Sequence, residues 1–161
     1  NYITQIIDYV TEHFDVYILF NYAPNQKVDA ESIYNNCKHK DAIIFDIYED
    51  NIRGFIQLMN KCNLLVANEG GNVHIAKAMD KPTFTIFSPY VLKEHWASFE
   101  DGVKHTSIHL LEEKPDLYTA QSKEERREIE NNPTILYNQL TPELIIPKLK
   151  AFLDHQLKRN L

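Results

Sequence analysis

The residues from Asn63 to Tyr90, NLLVANEGGNVHIAKAMDKPTFTIFSPY, limit what this chain can fold into more than any other stretch. Leu64, Leu65, Val66 and Ala67 make the continuous apolar run that a strand buried on both faces requires. Between Val73 and Met79, Val73 with Ala76 and Ile75 with Met79 recur at helical spacing, and Pro82 closes the helix ahead of the β-rich run TFTIF. Strand, turn, helix and strand in this order make one βαβ unit, so the two strands are expected to be parallel. The chain has only four glycines, yet Gly70 and Gly71 stand together where the first strand's carboxyl end must turn into the helix. Glycine there allows positive φ and lets another molecule approach the backbone. With Asn72 read as the N-cap, the free N–H groups of Val73, His74 and Ile75 point out of the sheet's carboxyl edge beside the Glu69 carboxylate, a setting that suits a diphosphate with a polyol attached. A tight turn without any ligand is the plainer reading of a Gly-Gly pair, and these residues also allow it.

Strand and helix patterns alternate through the rest of the chain. Ile3, Ile6, Ile7, Val10 and Phe14 lie on one helical stripe opposite Gln5, Asp8 and Glu12. Strands are expected at 16–20, 42–47, 63–67, 83–87 and 105–110, with helices from about Ala30 to Lys38 and along the stripe Ile52, Phe55, Ile56, Met59 and Cys62. The fold class is therefore α/β, a Rossmann-like parallel sheet of about five strands with helices on both faces, because crossovers between parallel strands are right-handed. A doubly wound domain that opens on a helix, with no strand before it, reads as a piece separated from an upstream part. Residues 112–132 include KEERREIE and few apolar positions, which predicts a solvated helix or a mobile excursion. Thr141, Pro142 and Glu143 announce a closing helix, in which Pro147 is expected to force a restart or a kink.

Composition excludes several functions. At 161 residues, 43% apolar and 25% charged, the chain is one ordinary globular domain, 1–161, with a core large enough to need no staple. A net charge of −6 argues against sequence-independent nucleic-acid binding, which draws its affinity from clustered Lys and Arg. Cys37 and Cys62 form no Cys-x-x-Cys pair and no disulfide framework, which suits a reducing cytosol. No apolar run approaches the ~20 residues of a membrane span, and Asn1 to Phe14 has no basic leader region, so the reading is a cytoplasmic protein. Lys148, Lys150, Lys158 and Arg159 on the closing helix suit either a solvated face or, at most, peripheral contact with an anionic membrane surface. No metal is expected: His105 and His109 on a strand would lie about 13 Å apart, too far to share one ion. An Asp-x-Asp pair, a Gly-x-Ser-x-Gly elbow and a Walker loop are all missing from the sequence.

At Asn68 to Pro89 the sequence resembles the carboxyl-terminal half of glycosyltransferase family 9, the heptosyltransferase-like enzymes of the GT-B fold. The family's pattern runs apolar strand, Asn-Asp-Ser-Gly-x-x-His, Ala-rich helix, Pro, apolar strand, Gly-Pro. Asn68, Gly70 and Gly71, His74, Ala76, Ala78, Pro82, Phe87 and Pro89 fall in register with it. Glu69 stands where Asp is usual, Gly70 where Ser or Thr is usual, and Ser88 where Gly is usual. A longer carboxylate still accepts two sugar hydroxyls, with a different reach. In order of elements the resemblance covers the whole chain; its specific residues are confined to 63–90.

The resemblance implies that the chain is one half of a GT-B fold that grips a nucleoside-diphosphate sugar without metal or other cofactor. Glu69, Gly70, Gly71, Asn72, Val73 and His74 would bind the donor, and Gln26 and Ser88 would contact the nucleotide, with Asp29 or Glu31 as alternatives to Gln26; Tyr48, at the carboxyl end of a strand, would either stack on the nucleotide's base or cap the core. At His74, a neutral imidazole donating to a phosphate or sugar oxygen and a purely structural role both fit. The acceptor would be a saccharide or glycolipid of the lipopolysaccharide-core type, at the cytoplasmic side of the inner membrane. A helix N-terminus contributes ~0.3–2 kcal/mol, whereas enzymes commonly lower barriers by ~8 kcal/mol or more. The general base and the acceptor site are therefore expected in an amino-terminal domain outside this chain, and no catalytic residue within it. Two other classes stay open: a nucleotide-sugar epimerase of the same fold, and a non-catalytic αβ module that binds a nucleotide or a protein partner.

Overall fold

A computed structural model describes residues 2–119, 122–132 and 134–157. The chain divides into two compact units, Asn1–Cys62 and Asn63–Leu161.

The first unit begins with α1 (Tyr2–His13), followed by β1 (Ile18–Leu19), a 3₁₀ turn at Pro24–Gln26 that runs into α2 (Lys27–Asn36), a second 3₁₀ turn at Lys40–Ala42, β2 (Ile43–Ile44) and α3 (Ile52–Lys61). β1 and β2 pair in parallel, Ile18 with Ile43 and Leu19 with Ile44. The apolar stripe of α1 buries Ile7 against Ile33, Cys37 and Ile43, with Ile3, Ile18, Phe20, Tyr34 and Phe45 around them. Asp8, expected on the face opposite that stripe, is buried instead and takes the Lys38 N–H on Oδ1 at 2.8 Å, which ties α1 to the end of α2. Asn51 caps α3 by accepting the Gly54 N–H at 2.9 Å.

The second unit holds β3 (Leu65–Asn68), α4 (Gly71–Ala78), β4 (Thr83–Ile86), α5 (Lys93–Trp96) and β5 (His105–Ile108). Four shorter helices follow, α6 (Leu110–Glu113), α7 (Asp116–Thr119), α8 (Lys123–Asn131) and α9 (Thr134–Tyr137), and then the long α10 (Pro142–Leu157). The sheet has the order β3-β4-β5, all parallel, with Leu65 opposite Thr83 and Thr83 opposite His105. α10 packs on one face of β4 and β5, where Ile145 and Leu149 are fully buried and Phe152 meets the Phe84 ring at 5.8 Å. Pro142 occupies the first position of α10, where its missing N–H costs nothing, and the helix continues through Pro147 without restarting.

The strands are parallel and flanked by helices, as expected for an α/β chain. They form sheets of two and three rather than one of five. β1 and β2 are only two residues long; beyond them the Phe20 N–H still donates to the Ile44 carbonyl at 3.0 Å, Tyr22 stacks on Phe45 at 5.4 Å and on Tyr48 at 4.6 Å, and the Glu49 N–H donates to Asn21 Oδ1.

Opposite α10, the sheet face is polar where α4 lies. Lys77 of α4 buries its chain, donates from Nζ to the Ser98 carbonyl at 2.7 Å and stands 3.9 Å from Glu100 Oε1. Burial pushes the Lys77 ammonium below its ordinary pKa. Glu100 Oε2 accepts from the Ser107 hydroxyl at 2.7 Å and lies 3.5 Å from Lys93, which also pairs with Glu112 at 2.6 Å. These bonds fasten α5 and the loop after it to the sheet. Asp101 then organises the entry to β5 by accepting the N–H groups of His105, Val103 and Lys104 at 2.8–2.9 Å, which hold its carboxyl at about 2. A depressed carboxylate adds stability above its unfolded pKa of about 4, and the contribution is lost as pH falls through the folded value. Asp101→Asn should therefore lower the melting temperature at neutral pH and flatten its dependence on pH between about 4 and 2, as read by thermal unfolding.

α8 is exposed wherever its side chains are described, in keeping with its charge. Lys148 pairs with Glu113 and Lys150 with Asp154, so these two lysines of α10 are spent on ion pairs; Lys158 and Arg159 lie outside the described residues. Among the described residues no helix is long and apolar enough to cross a membrane.

Candidate functional site

The carboxyl ends of β3 and β4 and the start of α4 converge on a short turn, Glu69 to Val73. The Glu69 N–H donates to the Ile86 carbonyl at 3.2 Å, carrying the β3–β4 ladder one residue past the strand. Its carboxylate then reaches across the strand ends, and Oε2 accepts the Ser88 N–H at 2.8 Å. Oε1 takes no hydrogen bond among the described residues. Glu69 and Ser88, singled out separately in the sequence, are thus in direct contact.

Gly70 is the N-cap of α4, at φ 157° and ψ −177°. Glycine alone occupies that region readily, and a Cβ at this position would come within 3.1 Å of Asn72 Oδ1. Gly71 is already helical, and a Cβ on it would meet nothing within 4 Å. The expected need for positive φ is real, but it falls on Gly70 and not on Gly71.

The helix also starts earlier than an Asn72 cap allows. Asn72 lies inside its first turn, where Oδ1 accepts the Val73 N–H at 2.9 Å; that amide also approaches the Gly70 carbonyl at 3.1 Å. His74 and Ile75 come after the first three helical positions, so their amides belong to the helix's own ladder. At this turn the amides of Gly70, Gly71 and Asn72 have no protein acceptor among the described residues, and the two that open the helix, Gly71 and Asn72, come ahead of the expected Val73, His74 and Ile75. The physical cause is Gly70. At its positive φ the chain passes from β3, which ends at Asn68, to the helix start at Gly71 in two residues.

His74 faces Trp96 at the end of α5, ring centroids 6.2 Å apart, and Trp96 is 50% exposed. Trp96 is the only tryptophan in the chain. Occupation of the amides of Gly71 and Asn72 should therefore change its emission, and a fluorescence titration with a nucleoside diphosphate checks this directly; unchanged emission under saturating ligand would place the ligand elsewhere.

The two remaining sequence candidates lie in the first unit. Gln26 Oε1 accepts the Ala23 N–H at 3.1 Å and so closes its own turn. Tyr48 stacks one face on Tyr22, with a hydroxyl that is buried and without a hydrogen-bond partner; burial raises its pKa. Neither residue is placed with Glu69 in one unit, whereas Glu69, Gly70, Gly71, Asn72, Val73, His74 and Ser88 all are.

One neighbour came from a part of the sequence with no such signal. Tyr137 donates its hydroxyl to Ser88 Oγ at 2.7 Å across 49 positions of chain. Trp96 was equally silent, since a single aromatic in a mixed loop has no pattern to read.

In chemical terms the turn offers two amides at the positive end of a helix beside a carboxylate with one uncommitted oxygen. The first suits phosphate oxygens and the second suits hydroxyl donors. Among the described residues no group of three His, Cys, Asp or Glu side chains is placed to hold a metal ion. The model of one protein family, described as glycosyltransferase family 9 (heptosyltransferase), matches residues 7–126, a span that includes the whole of this turn. No curated protein and no solved structure matches the chain.

Proposed function

Because the chain belongs to glycosyltransferase family 9, the heptosyltransferase family, we propose that it is the donor-binding part of an inverting, metal-independent glycosyltransferase that takes a nucleoside-diphosphate sugar. The observation that carries this reading is the arrangement at the β3–α4 turn, where Gly70 frees the amides of Gly71 and Asn72 beside Glu69. The donor's diphosphate would accept hydrogen bonds from those amides, and the sugar's hydroxyls would donate to Glu69. When the acceptor oxygen attacks the anomeric carbon from the opposite face, the bond to the diphosphate breaks and the charge that gathers on the leaving oxygens meets the positive end of α4. Configuration is inverted in that single displacement. The acceptor hydroxyl's proton goes to a general base supplied by a second, amino-terminal domain that also carries the acceptor site. The acceptor is proposed as a saccharide or glycolipid of the lipopolysaccharide-core type, met at the cytoplasmic face of the inner membrane.

Calorimetric titration with nucleoside diphosphates and nucleotide sugars, repeated in the presence of a chelator, tests the reading. Binding that survives the chelator is the expected result, with a gain in affinity when the sugar is present. Binding that needs a divalent cation, or none at all, would remove it.

A further inference from the structure

Two tyrosine hydroxyls fasten the turn that follows β4. Tyr137 at the end of α9 donates to Ser88 Oγ at 2.7 Å, and Ser88 is the residue whose N–H Glu69 holds. Tyr118 on α7 donates to the Pro89 carbonyl at 2.8 Å, with burial pushing its phenol up to about 12, so its proton stays on. Together the two hydroxyls bind the chain after β5 across the turn Ser88 to Tyr90. A clamp needs only the hydroxyls. Yet Tyr90 and Tyr137, whose ring centroids lie 6.0 Å apart at a tilt of 47°, are as residues 40% and 42% exposed. An electron-rich ring face takes the C–H face of a pyranose, while a carboxylate takes its hydroxyls. Two exposed aromatic rings linked through one residue to Glu69 combine both requirements. The rings carry no positive charge, so a phosphate gains nothing from them.

We propose that Tyr90 and Tyr137 form a platform for a sugar ring beside Glu69. The proposal rests on the donor-site reading above and deepens it, since it makes Tyr90 and Tyr137 part of that site. The ring belongs either to the donor's own sugar or to the saccharide acceptor, whose chemistry at this surface is the same.

The test uses the whole chain, titrated calorimetrically with UDP, ADP and GDP, with UDP-glucose, ADP-glucose and GDP-mannose, and separately with maltotriose as a neutral saccharide. Tyr137→Ala and Tyr90→Ala are expected to lower the sugar-dependent affinity by about three- to tenfold, the range of an aromatic contact, with the bare diphosphate unaffected. Tyr137→Phe, which keeps the ring and loses the bond to Ser88, should retain most of that affinity. A loss confined to the nucleotide sugars assigns the platform to the donor, and a loss confined to maltotriose assigns it to the acceptor. If both alanine variants keep both the sugar-dependent gain and the affinity for maltotriose, or lose the bare diphosphate equally with a falling melting temperature, the tyrosines are only a clamp and the platform is overturned while the donor site stands. A wild-type chain that binds none of the diphosphates overturns both.

Discussion

Replacing Glu69 by alanine is expected to weaken nucleotide-sugar binding by about 1.5–3 kcal/mol, the usual worth of hydrogen bonds to a charged group, while affinity for the bare nucleoside diphosphate stays nearly level or rises. The asymmetry follows from charge. A carboxylate that serves the sugar's hydroxyls repels a neighbouring phosphate, so its removal costs one ligand and relieves the other. Glu69 has a second task, however, because Oε2 holds the Ser88 N–H at 2.8 Å. Alanine leaves that amide without its acceptor, and a drop in stability of about 1–3 kcal/mol is expected with the change in binding. Glu69→Gln separates the two tasks. Its amide oxygen can still accept the Ser88 N–H, so the fold should be spared, while the loss of charge weakens the hold on the sugar. Calorimetric titration of wild type and both variants, with thermal unfolding of each, reads the outcome. Equal losses for the two ligands in both variants would reduce Glu69 to a support for the turn.

Gly70→Val should do the most damage to the anion site. At φ 157° the residue sits where glycine alone is at ease, a placement that costs any other residue on the order of 1–3 kcal/mol. A Cβ there also comes within 3.1 Å of Asn72 Oδ1, the acceptor of the Val73 N–H. The chain can escape only by turning Gly70 and unwinding the first turn of α4, which takes the amides of Gly71 and Asn72 out of line. Diphosphate affinity is expected to fall by about 1–2 kcal/mol, the contribution of a partly buried helix N-terminus, together with the loss of stability. Gly71→Val is the contrast. Nothing lies within 4 Å of its Cβ, so the fold should tolerate it, and any fall in diphosphate affinity would then mark that open space as the place where the ligand sits. Isothermal titration and chemical unfolding of the two variants decide; a Gly70→Val protein that binds diphosphate as wild type does would detach the anion from this turn.

What the sequence determined alone rests on interactions between near neighbours. The apolar run at 64–67, the helical spacing from Val73 to Met79, Pro82 and the TFTIF run each encode a local preference, and they are enough for a βαβ unit with glycine at its turn. Family membership is legible from the same stretch, because the side chains that fall in register lie within one unit of chain. Even the polar α8 follows from its composition. The sequence could not decide between Gly70 and Gly71, because both permit positive φ and the choice depends on where the β3–β4 ladder ends. That end is set by the Glu69 N–H on Ile86 and by the Glu69 carboxylate on Ser88, contacts that span about twenty residues. Strand lengths were likewise out of reach, since the aromatic pairs beyond β1 and β2, Tyr22 with Tyr48 and Phe45 with Tyr34, follow no period. Tyr137 against Ser88 and Lys77 against Glu100 are further cases. A hydroxyl or an ammonium has no sequence pattern that names its partner, and only the folded chain brings the two within reach.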